Sequence, residues 1–363
     1  MPLETVDNQL LFTPGPLNTS ATVKAAAMRD IGSRTFAMRE VTNEIIDLLH
    51  SISELSSDYS TVLMQGSGTF SVEAMLSSLI SENDHVLILI SGDYSTRMAD
   101  ICSIYGIPHH LEEFDESEGI CPEKLKEFLG NTSEPFSHLL FVHYETALGV
   151  VNPYDAIMEV AFEFNLKVLV DCVSSFGLLP VCTTFPNLVA IASSANKCIQ
   201  GLTGVSFVLV KHNELMIERK KRTLSFDLKA QSKAFMANGE WRFSPPVQIL
   251  LGLRQALQEY VQEGGREYRY QRYQNLREYL ELKLKKHDIF PVIKARLRAP
   301  IINTYSLPPG VDYISLSTAL AKRNIVVYAS KQKGCFRIGT AGDINQSDVD
   351  TLLHEIECVI KGC

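Results

Sequence analysis

The chain has 363 residues, of which 45% are hydrophobic, and its formal net charge is −8. A chain of this length and apolar content is large enough for two packed domains. The acidic balance, without a dense basic patch, argues against nucleic acid as the main partner. The short run Glu218-Arg-Lys-Lys-Arg222 predicts no more than a solvated helix face.

The cysteine usage and the absence of long apolar runs predict a cytoplasmic protein. No apolar segment follows Met1-Pro-Leu-Glu4, so a secretory leader is not expected. No run approaches the roughly 20 apolar residues that a membrane span requires. The eight cysteines are scattered without a Cys-x-x-Cys pair, which is typical of reduced thiols.

From about residue 60 to 210, apolar runs typical of strands alternate with helical patterns. Near-continuous apolar runs such as residues 85–90 indicate strands that are buried on both faces. Such strands favour a mainly parallel sheet covered by helices. The predicted strands are 61–64, 85–91, 138–142, 167–171, 188–192 and 205–210.

The C-terminal part of the chain has a different pattern. Two long helical stretches run from Val247 to Glu263 and from Glu267 to Lys286. The elements predicted after them are a strand at 300–306, a helix at 313–322, strands at 326 and 335–339, and a helix from 347. We therefore expect an α/β protein with a smaller C-terminal α+β domain. The predicted divisions are an N-terminal segment (1–15), a large domain (16–255) and a small domain (256–363).

A glycine-rich turn, Gln65-Gly-Ser-Gly-Thr69, follows the first predicted strand and leads into a helical pattern. Such a turn presents backbone N–H groups and the positive end of the helix dipole to an anion. Ser67 and Thr69 add hydroxyl donors. The turn lacks the Gly-Lys-Ser/Thr of a Walker loop and the third glycine of a dinucleotide fingerprint. It predicts a phosphate site of another kind, although this short motif also occurs in ordinary turns.

Lys197 lies between an apolar strand and a second glycine-rich turn. An ammonium in that position loses solvation, so its pKa falls and the amine becomes a nucleophile for Schiff bases. Asp171 ends the apolar run Lys167-Val-Leu-Val-Asp. An amine and a carboxylate at neighbouring strand ends match the needs of pyridoxal phosphate, which binds an amine by its aldehyde and an anion by its ring nitrogen.

Ligands of parallel sheets collect where the strands end, and residues Gly66–Thr69, Tyr94, Thr146, Asp171 and Lys197 are all predicted there. Ordinary explanations exist for some of them. Asp171 alone would also suit a helix cap, Tyr94 a packing position and Thr146 a turn hydrogen bond. The pair His109-His110 predicts no metal site, because adjacent strand residues point to opposite faces.

Six segments together resemble the class V aminotransferase branch of the fold-type I pyridoxal phosphate enzymes. Ser193-Ser-Ala-Asn-Lys-Cys-Ile-Gln-Gly201 is the most specific of them. Leu11-Phe-Thr-Pro-Gly-Pro-Leu17 is also typical of alanine–glyoxylate and serine–pyruvate aminotransferases and does not separate the members. The other segments are residues 65–74, 170–177, 241–244 and 335–339, so the resemblance extends over essentially the whole chain.

The resemblance implies a role for each site residue. Lys197 would hold the aldehyde of pyridoxal phosphate and move the substrate proton, and Asp171 would pair with the pyridinium nitrogen. Arg337 would bind the anionic end of the substrate, and Arg34 is a second candidate for that contact. The remaining cofactor contacts would come from Ser67, Gly68 and Thr69 to the phosphate, Tyr94 stacked on the ring, Thr146 near the ring oxygen, Ser194, and Ser244 from the second subunit of a homodimer.

The implied substrates are 2-aminoethylphosphonate and pyruvate, with L-alanine as a product. Arginine binds phosphonate and carboxylate alike, so alanine with glyoxylate, or serine with pyruvate, stays open. The segments Glu145-Thr-Ala-Leu-Gly149 and Ser244-Pro-Pro depart from the usual family pattern, which bears on substrate choice more than on cofactor binding. A nucleotide-dependent oxidoreductase and a non-catalytic binding protein are the alternatives from other classes.

Overall fold

A computed structural model describes residues 8–181 and 185–362 of the chain. Its strands are β1 Leu10–Leu11, β2 Tyr59–Gln65, β3 Val86–Ile90, β4 His109–Glu113, β5 His138–Val142, β6 Tyr144–Glu145, β7 Val150–Val151, β8 Lys167–Asp171, β9 Leu188–Ser194, β10 Val205–Lys211, β11 Ile302–Ser306, β12 Ile325–Val326, β13 Tyr328–Ala329 and β14 Cys335–Gly339. Its α-helices are α1 Ala21–Ala26, α2 Phe36–Ser53, α3 Gly68–Leu79, α4 Asp93–Ile104, α5 Pro122–Asn131, α6 Tyr154–Glu163, α7 His212–Met216, α8 Leu228–Asn238, α9 Val247–Glu263, α10 Gly265–Leu284, α11 Tyr313–Ala321 and α12 Gln346–Lys361.

A seven-stranded sheet with the order β2-β10-β9-β8-β5-β3-β4 forms the centre of the molecule. Only β10 runs antiparallel to its neighbours, and the other pairs are parallel. The middle strands are buried along their whole length, because helices cover both faces. The predicted α/β class with a mainly parallel sheet is confirmed.

The edge strand β4 is missing from the predicted strands, although His109 and His110 were expected to lie on a strand. Its sequence, His-His-Leu-Glu-Glu, has one apolar residue, and no position in the strand is fully buried. An edge strand packs on one side only, so its sequence carries no apolar run. His109 Nδ1 contacts its neighbour Ile107 O at 2.7 Å, while His110 lies 3.4 Å from Glu134.

The C-terminal part contains a three-stranded antiparallel sheet with the order β11-β14-β13. Its own apolar cluster includes Leu280, Phe336 and Leu352, so α10 and α12 pack on this sheet. β1 pairs in parallel with β12, which brings the beginning of the described chain onto this unit. The N-terminal segment therefore starts in the small two-stranded sheet of β1 and β12 and continues towards the central sheet.

The predicted boundary between residues 255 and 256 falls within α9. The buried residues of α9 as far as Tyr260 belong to the core of the central sheet, and Gly264 with φ +106° ends the helix. The chain then turns directly into α10. The division at 255/256, like the division at residue 15, stays a prediction.

The basic run at residues 218–222 was expected to form a helix face, and that prediction was wrong. The segment is not helical, and acidic side chains or carbonyl oxygens bind its cations. Arg222 donates to Ile80 O at 2.5 Å, where α3 ends. Unsatisfied carbonyl groups at a helix end bind cations, which explains how Arg222 anchors the segment without a helix of its own.

Among the described residues, no helix is long and apolar enough to cross a membrane. None of the six cysteines within residues 8–181 and 185–362 forms a disulfide, and four of them are buried. Cys182 and Cys363 lie outside the described residues. No group of three or more His, Cys, Asp and Glu side chains within residues 8–181 and 185–362 is arranged to hold a metal ion.

Candidate active site

The glycine-rich turn after β2 forms the start of α3. Ser67 is the N-cap residue, and its hydroxyl makes no capping hydrogen bond. The first backbone bond of the helix runs from Phe70 N to Ser67 O at 2.9 Å. The N–H groups of Gly68 and Thr69 precede that bond and are free of intrahelical acceptors, so the turn offers donors to an anion.

Gly68 is required at this turn because Val173 packs directly against it. A Cβ on Gly68 would lie 2.5 Å from Val173 Cγ1, far below any allowed contact. Val173 N in turn donates to the carboxylate of Asp171 at 2.8 Å. This close packing holds the start of α3 beside the end of β8, which brings the anion-binding turn next to the carboxylate.

Asp171 is the last residue of β8, and the neighbouring strand β9 ends three residues before Lys197. Burial raises the pKa of Asp171 to about 6, while the hydrogen bond from Val173 and the positive charges of Arg97 and Lys197 act in the opposite direction. Burial lowers the pKa of Lys197 to about 8, against the effect of Asp171. A large part of the amine is therefore neutral, and nucleophilic, near pH 8.

A cleft of about 170 Å³ joins these groups. Its lining consists of Ser67, Gly68, Thr69, Val72, Tyr94, Arg97, Met98, Asp171, Val173, Asn196 and Lys197. Six of the predicted site residues are thus brought together in one place, namely Ser67, Gly68, Thr69, Tyr94, Asp171 and Lys197. Three larger cavities elsewhere in the described chain contain neither the lysine nor the aspartate.

The N-terminal segment passes directly over Lys197. Lys197 Nζ donates a hydrogen bond to Pro14 O at 2.9 Å. Gly15 has φ +128°, and a Cβ there would lie 2.6 Å from the same nitrogen. The segment therefore forms one wall of the site, and only glycine leaves room for the lysine side chain.

The loop that carries Lys197 is held from behind by α10. The guanidinium of Arg269 is buried and donates to Cys198 O at 2.8 Å. Glu263 binds Arg269 at 2.6 Å and Arg272 at 2.7 Å, so the buried charge is compensated. Arg272 also donates to Gly342 O at 2.9 Å. This network connects the lysine loop with the C-terminal unit.

Tyr94 and Arg97 enter the cleft from the first turn of α4. The buried carboxylate of Glu145 accepts hydrogen bonds from Tyr94 N at 3.3 Å and Ser95 N at 2.9 Å, at the positive end of that helix. Burial nevertheless raises the pKa of Glu145 to about 7. Glu145 therefore positions Tyr94, a role that sequence reasoning did not identify.

Thr146, Ser194 and Arg337 lie close to the cleft without lining it. The hydroxyl of Thr146 is buried and has no hydrogen-bond partner in the described chain. Arg337 donates to Thr146 O and to Ala329 O, each at 2.8 Å. Ser194 donates to Asn196 Oδ1 at 2.9 Å. No carboxylate of the described residues pairs with Arg337, so its guanidinium retains donors for an external anion.

Arg34 and Ser244 lie apart from the cleft within a single chain. The side chain of Arg34 is 68% exposed and binds Glu240 at 2.8 Å. Ser244 lines an apolar cavity of about 560 Å³ that also contains Gly66 and Phe70. Gly66 comes directly before Ser67, so this cavity lies next to the anion-binding turn, but neither Asp171 nor Lys197 lines it.

Sequence reasoning also missed Arg97. It lines the cleft, and its Nη1 donates to Thr69 Oγ1 at 3.1 Å. The spacing of Tyr94, Arg97 and Met98 is the signal that would have identified it, since residues three and four apart share a helix face. Once Tyr94 is predicted at the site, the same face of α4 includes Arg97.

The sequence profile described as aminotransferase class-V matches residues 18–341. The chain belongs to the class V aminotransferase family. Two proteins that are similar to this chain are named 2-aminoethylphosphonate–pyruvate transaminase. One, from Bacteroides fragilis, is 34% identical over 354 residues, which are 96% of this chain and 98% of the relative. The other, from Klebsiella pneumoniae, is 36% identical over 357 residues, or 96% and 97% of the two chains.

Solved structures of aminotransferases have the same fold. An alanine–glyoxylate aminotransferase from Nostoc sp. superposes with a TM-score of 0.90 at 26% identity, over 99% of this chain and 97% of that chain. An ureidoglycine–glyoxylate aminotransferase from Bacillus subtilis has a TM-score of 0.89 at 22% identity, over 99% and 95%, and supports the fold alone. The predicted fold-type I architecture, family and enzyme class are confirmed, and family membership implies pyridoxal phosphate as the cofactor.

Proposed function

We propose that this class V aminotransferase transfers the amino group of 2-aminoethylphosphonate to pyruvate, giving phosphonoacetaldehyde and L-alanine. The observation that carries the proposal is the single cleft in which Lys197 and Asp171 meet the anion-binding turn of α3. The names of the Bacteroides and Klebsiella relatives support the choice of substrates. The two half-reactions would use the same site in turn, as in ping-pong kinetics.

The residues of the cleft fit pyridoxal phosphate. The turn at Ser67–Thr69 supplies neutral donors for a phosphate, and Gly68 keeps that turn against the strand end that carries Asp171. The buried hydroxyl of Thr146 lacks a partner, which suits a group that donates to the bound cofactor. Lys197 provides an amine of lowered pKa.

When bound, pyridoxal phosphate supplies an aldehyde for the amino group and a ring that accepts electrons from the substrate carbon. Lys197 would hold that aldehyde, and its freed amine would carry the proton that leaves the substrate. Asp171 would stay ionised opposite a protonated ring nitrogen, because an opposite charge offsets the effect of burial. Tyr94 would lie on the ring, with its backbone fixed by Glu145.

Arg337 would bind the anionic end of the substrate. Its bonds to Thr146 O and Ala329 O orient the guanidinium and use only part of its five N–H groups. A planar fork of this kind binds phosphonate and carboxylate. Arg337 therefore serves the amino donor in one half-reaction and the keto acid in the other. Arg34 would contribute only if the substrate or the partner subunit reaches the exposed surface where it lies.

The test is a spectrum of the purified holoenzyme during each half-reaction. Added alone, 2-aminoethylphosphonate should remove the visible band of the lysine-bound cofactor, and pyruvate should restore it. The Lys197→Ala variant should lack both the band and turnover. A band that does not change with the phosphonate contradicts the proposed donor. If it then disappears with L-alanine and returns with glyoxylate, or disappears with L-serine and returns with pyruvate, the protein is an aminotransferase for those substrates. The absence of any cofactor band after reconstitution contradicts the role of Lys197.

We also propose a cytoplasmic homodimer in which Ser244 reaches the phosphate site of the partner subunit. Within its own chain Ser244 lies away from Asp171 and Lys197. Phe243 and Phe70, which border the same cavity, are 47% and 44% exposed. Exposed aromatic side chains around a polar residue are typical of a surface that a partner covers. Neither nucleic acid nor a membrane is part of the proposal.

A further inference from the structure

The anion-binding turn at the start of α3 contains no charged side chain of its own. Ser67, Gly68 and Thr69 provide hydroxyl and N–H donors, all of them neutral. Two of the charged residues that line the cleft do not serve a phosphate: Asp171 is an acid, and Lys197 is reserved for the cofactor's aldehyde in the proposed function. A phosphate that carries close to two negative charges binds more strongly where a cation adds charged hydrogen bonds to such neutral donors.

Arg97 is the only other charged residue that lines the cleft. Its Nη1 donates to Thr69 Oγ1 at 3.1 Å, so the guanidinium lies at the anion-binding turn itself. The centre of the guanidinium lies 4.9 Å from the centroid of the Tyr94 ring. A guanidinium over an aromatic face is held in orientation by that face.

Within the described chain, Arg97 forms no ion pair with a carboxylate, and its only hydrogen bond is to Thr69. Exposed arginines elsewhere on the molecule, such as Arg34 and Arg296, pair with glutamates. An arginine that faces a cleft, with most of its donors free, is suited to an external anion. Its charge also reaches the rest of the site, since it lowers the pKa of both Asp171 and Lys197.

We infer that Arg97 binds the phosphate of pyridoxal phosphate, with Tyr94 and Thr69 fixing its guanidinium. The cofactor phosphate is favoured over a substrate phosphonate because Arg97 contacts Thr69, a member of the turn at the start of α3. Arg337 lies on the opposite unit and retains donors for the substrate. The inference rests on the proposed function, in which this turn holds the cofactor.

The test compares two forms of the cofactor that differ only in the phosphate. Apoprotein of the wild type, Arg97→Met and Arg97→Lys is titrated with pyridoxal phosphate and with pyridoxal, and binding is followed by absorbance. Arg97→Met should weaken pyridoxal phosphate about ten- to a hundredfold, the range for loss of a charged hydrogen bond. Pyridoxal should bind as before, and Arg97→Lys should recover part of the loss. Arg296→Met, on the surface of the C-terminal unit, is the matched control and should change neither affinity.

Three outcomes contradict the inference. Equal weakening of pyridoxal and pyridoxal phosphate would mean that Arg97 acts through Tyr94 or the fold. Unchanged affinity for pyridoxal phosphate, with a raised KM for 2-aminoethylphosphonate, would assign Arg97 to the substrate. A wild-type apoprotein that binds neither form would overturn the proposed function together with this inference. The wild-type titration comes first, so this failure is distinguished from a failure of the inference about Arg97 alone.

Discussion

The chemistry of the site depends on Lys197 and Asp171, and burial disfavours the charged form of both side chains. Lys197 has a pKa near 8, so it combines a neutral fraction for attack with a protonated fraction for proton transfer. Asp171 has a pKa near 6 when Arg97 and Lys197 are the only positive charges that act on it. A protonated ring nitrogen would remove this penalty, so cofactor binding and the ionisation of Asp171 support one another.

The raised pKa of Asp171 predicts a pH-dependent stability of the apoprotein. In the folded state the group keeps its proton up to about pH 6, whereas its ordinary pKa is 3.8. The unfolded chain thus releases the proton first, and stability falls as the pH rises between these values. Asp171→Asn lacks this effect and keeps an acceptor for Val173 N.

The free energy of unfolding of the apoprotein, measured by denaturant titration from pH 4 to 8, tests this prediction. The wild type should lose up to roughly 3 kcal/mol relative to Asp171→Asn between pH 4 and 6, and the difference should then stay constant. Burial, the main cause of the raised pKa of Glu145, is the same in both proteins, so most of its contribution cancels; the charge of Asp171 adds the smaller part. A difference that does not change with pH would contradict the burial of an ionisable Asp171.

At the scale of elements, the N-terminal segment belongs to the active site although it begins on the small sheet. β1 pairs with β12, and the chain then crosses to Lys197, where Pro14 O accepts the bond from the lysine. The sequence Thr-Pro-Gly-Pro therefore has a steric function. Gly15 faces the flexible end of Lys197, so a side chain there would displace the amine without breaking the core.

Gly15→Ala tests that function. The left-handed φ should cost of order 1–3 kcal/mol of folding stability. The contact with Lys197 should displace the amine and weaken cofactor binding about tenfold or more. Titration of the apoprotein with pyridoxal phosphate measures the effect, and thermal unfolding shows that the fold persists. Gly130→Ala, in α5 with open space around it, is the matched control. Wild-type affinity in Gly15→Ala would show that the segment does not limit the position of the lysine.

The α4 helix shows what sequence reasoning can and cannot supply. Tyr94 was predicted because it follows a buried strand, at the edge where ligands of parallel sheets bind. Arg97 could have been added from its spacing to Tyr94 on the same helix face, although its contact with the turn of α3 appears only in the structure. Glu145 was not predicted, because its role depends on how α4 lies against β6, and such packing between separate elements leaves no periodic pattern in the sequence.

For the whole molecule, the strands that could be predicted are the ones that are buried on both faces. β5 and β8 match their predicted ranges at both ends, since strands covered on both faces require continuous apolar runs. The edge strand β4 was missed because its exposed side accepts histidine and glutamate. The site residues at strand ends could be predicted, because parallel strands end at the same edge of a sheet. The positions of Arg34 and Ser244 could not, because both lie outside the cleft of their own chain.

The proposed homodimer makes a prediction about mixed dimers. Lys197→Ala and Ser244→Asp each impair the site, the second by placing a negative charge beside the phosphate. If Ser244 acts on the partner's site, a dimer of one chain of each kind has one site with both changes and one unaltered site. Co-expression with different affinity tags should then yield about half of the wild-type activity per dimer. Activity no higher than that of Ser244→Asp would place Ser244 in the site of its own chain.

The most direct test of the central claim is to identify the lysine that carries the cofactor. Holoenzyme is reduced with borohydride, digested, and analysed by mass spectrometry for the pyridoxyl group. The structure predicts a single modified residue, Lys197, and predicts that Lys197→Ala carries no modification. A pyridoxyl group on any other lysine, or retained by that variant, would contradict the assignment of this cleft as the active site.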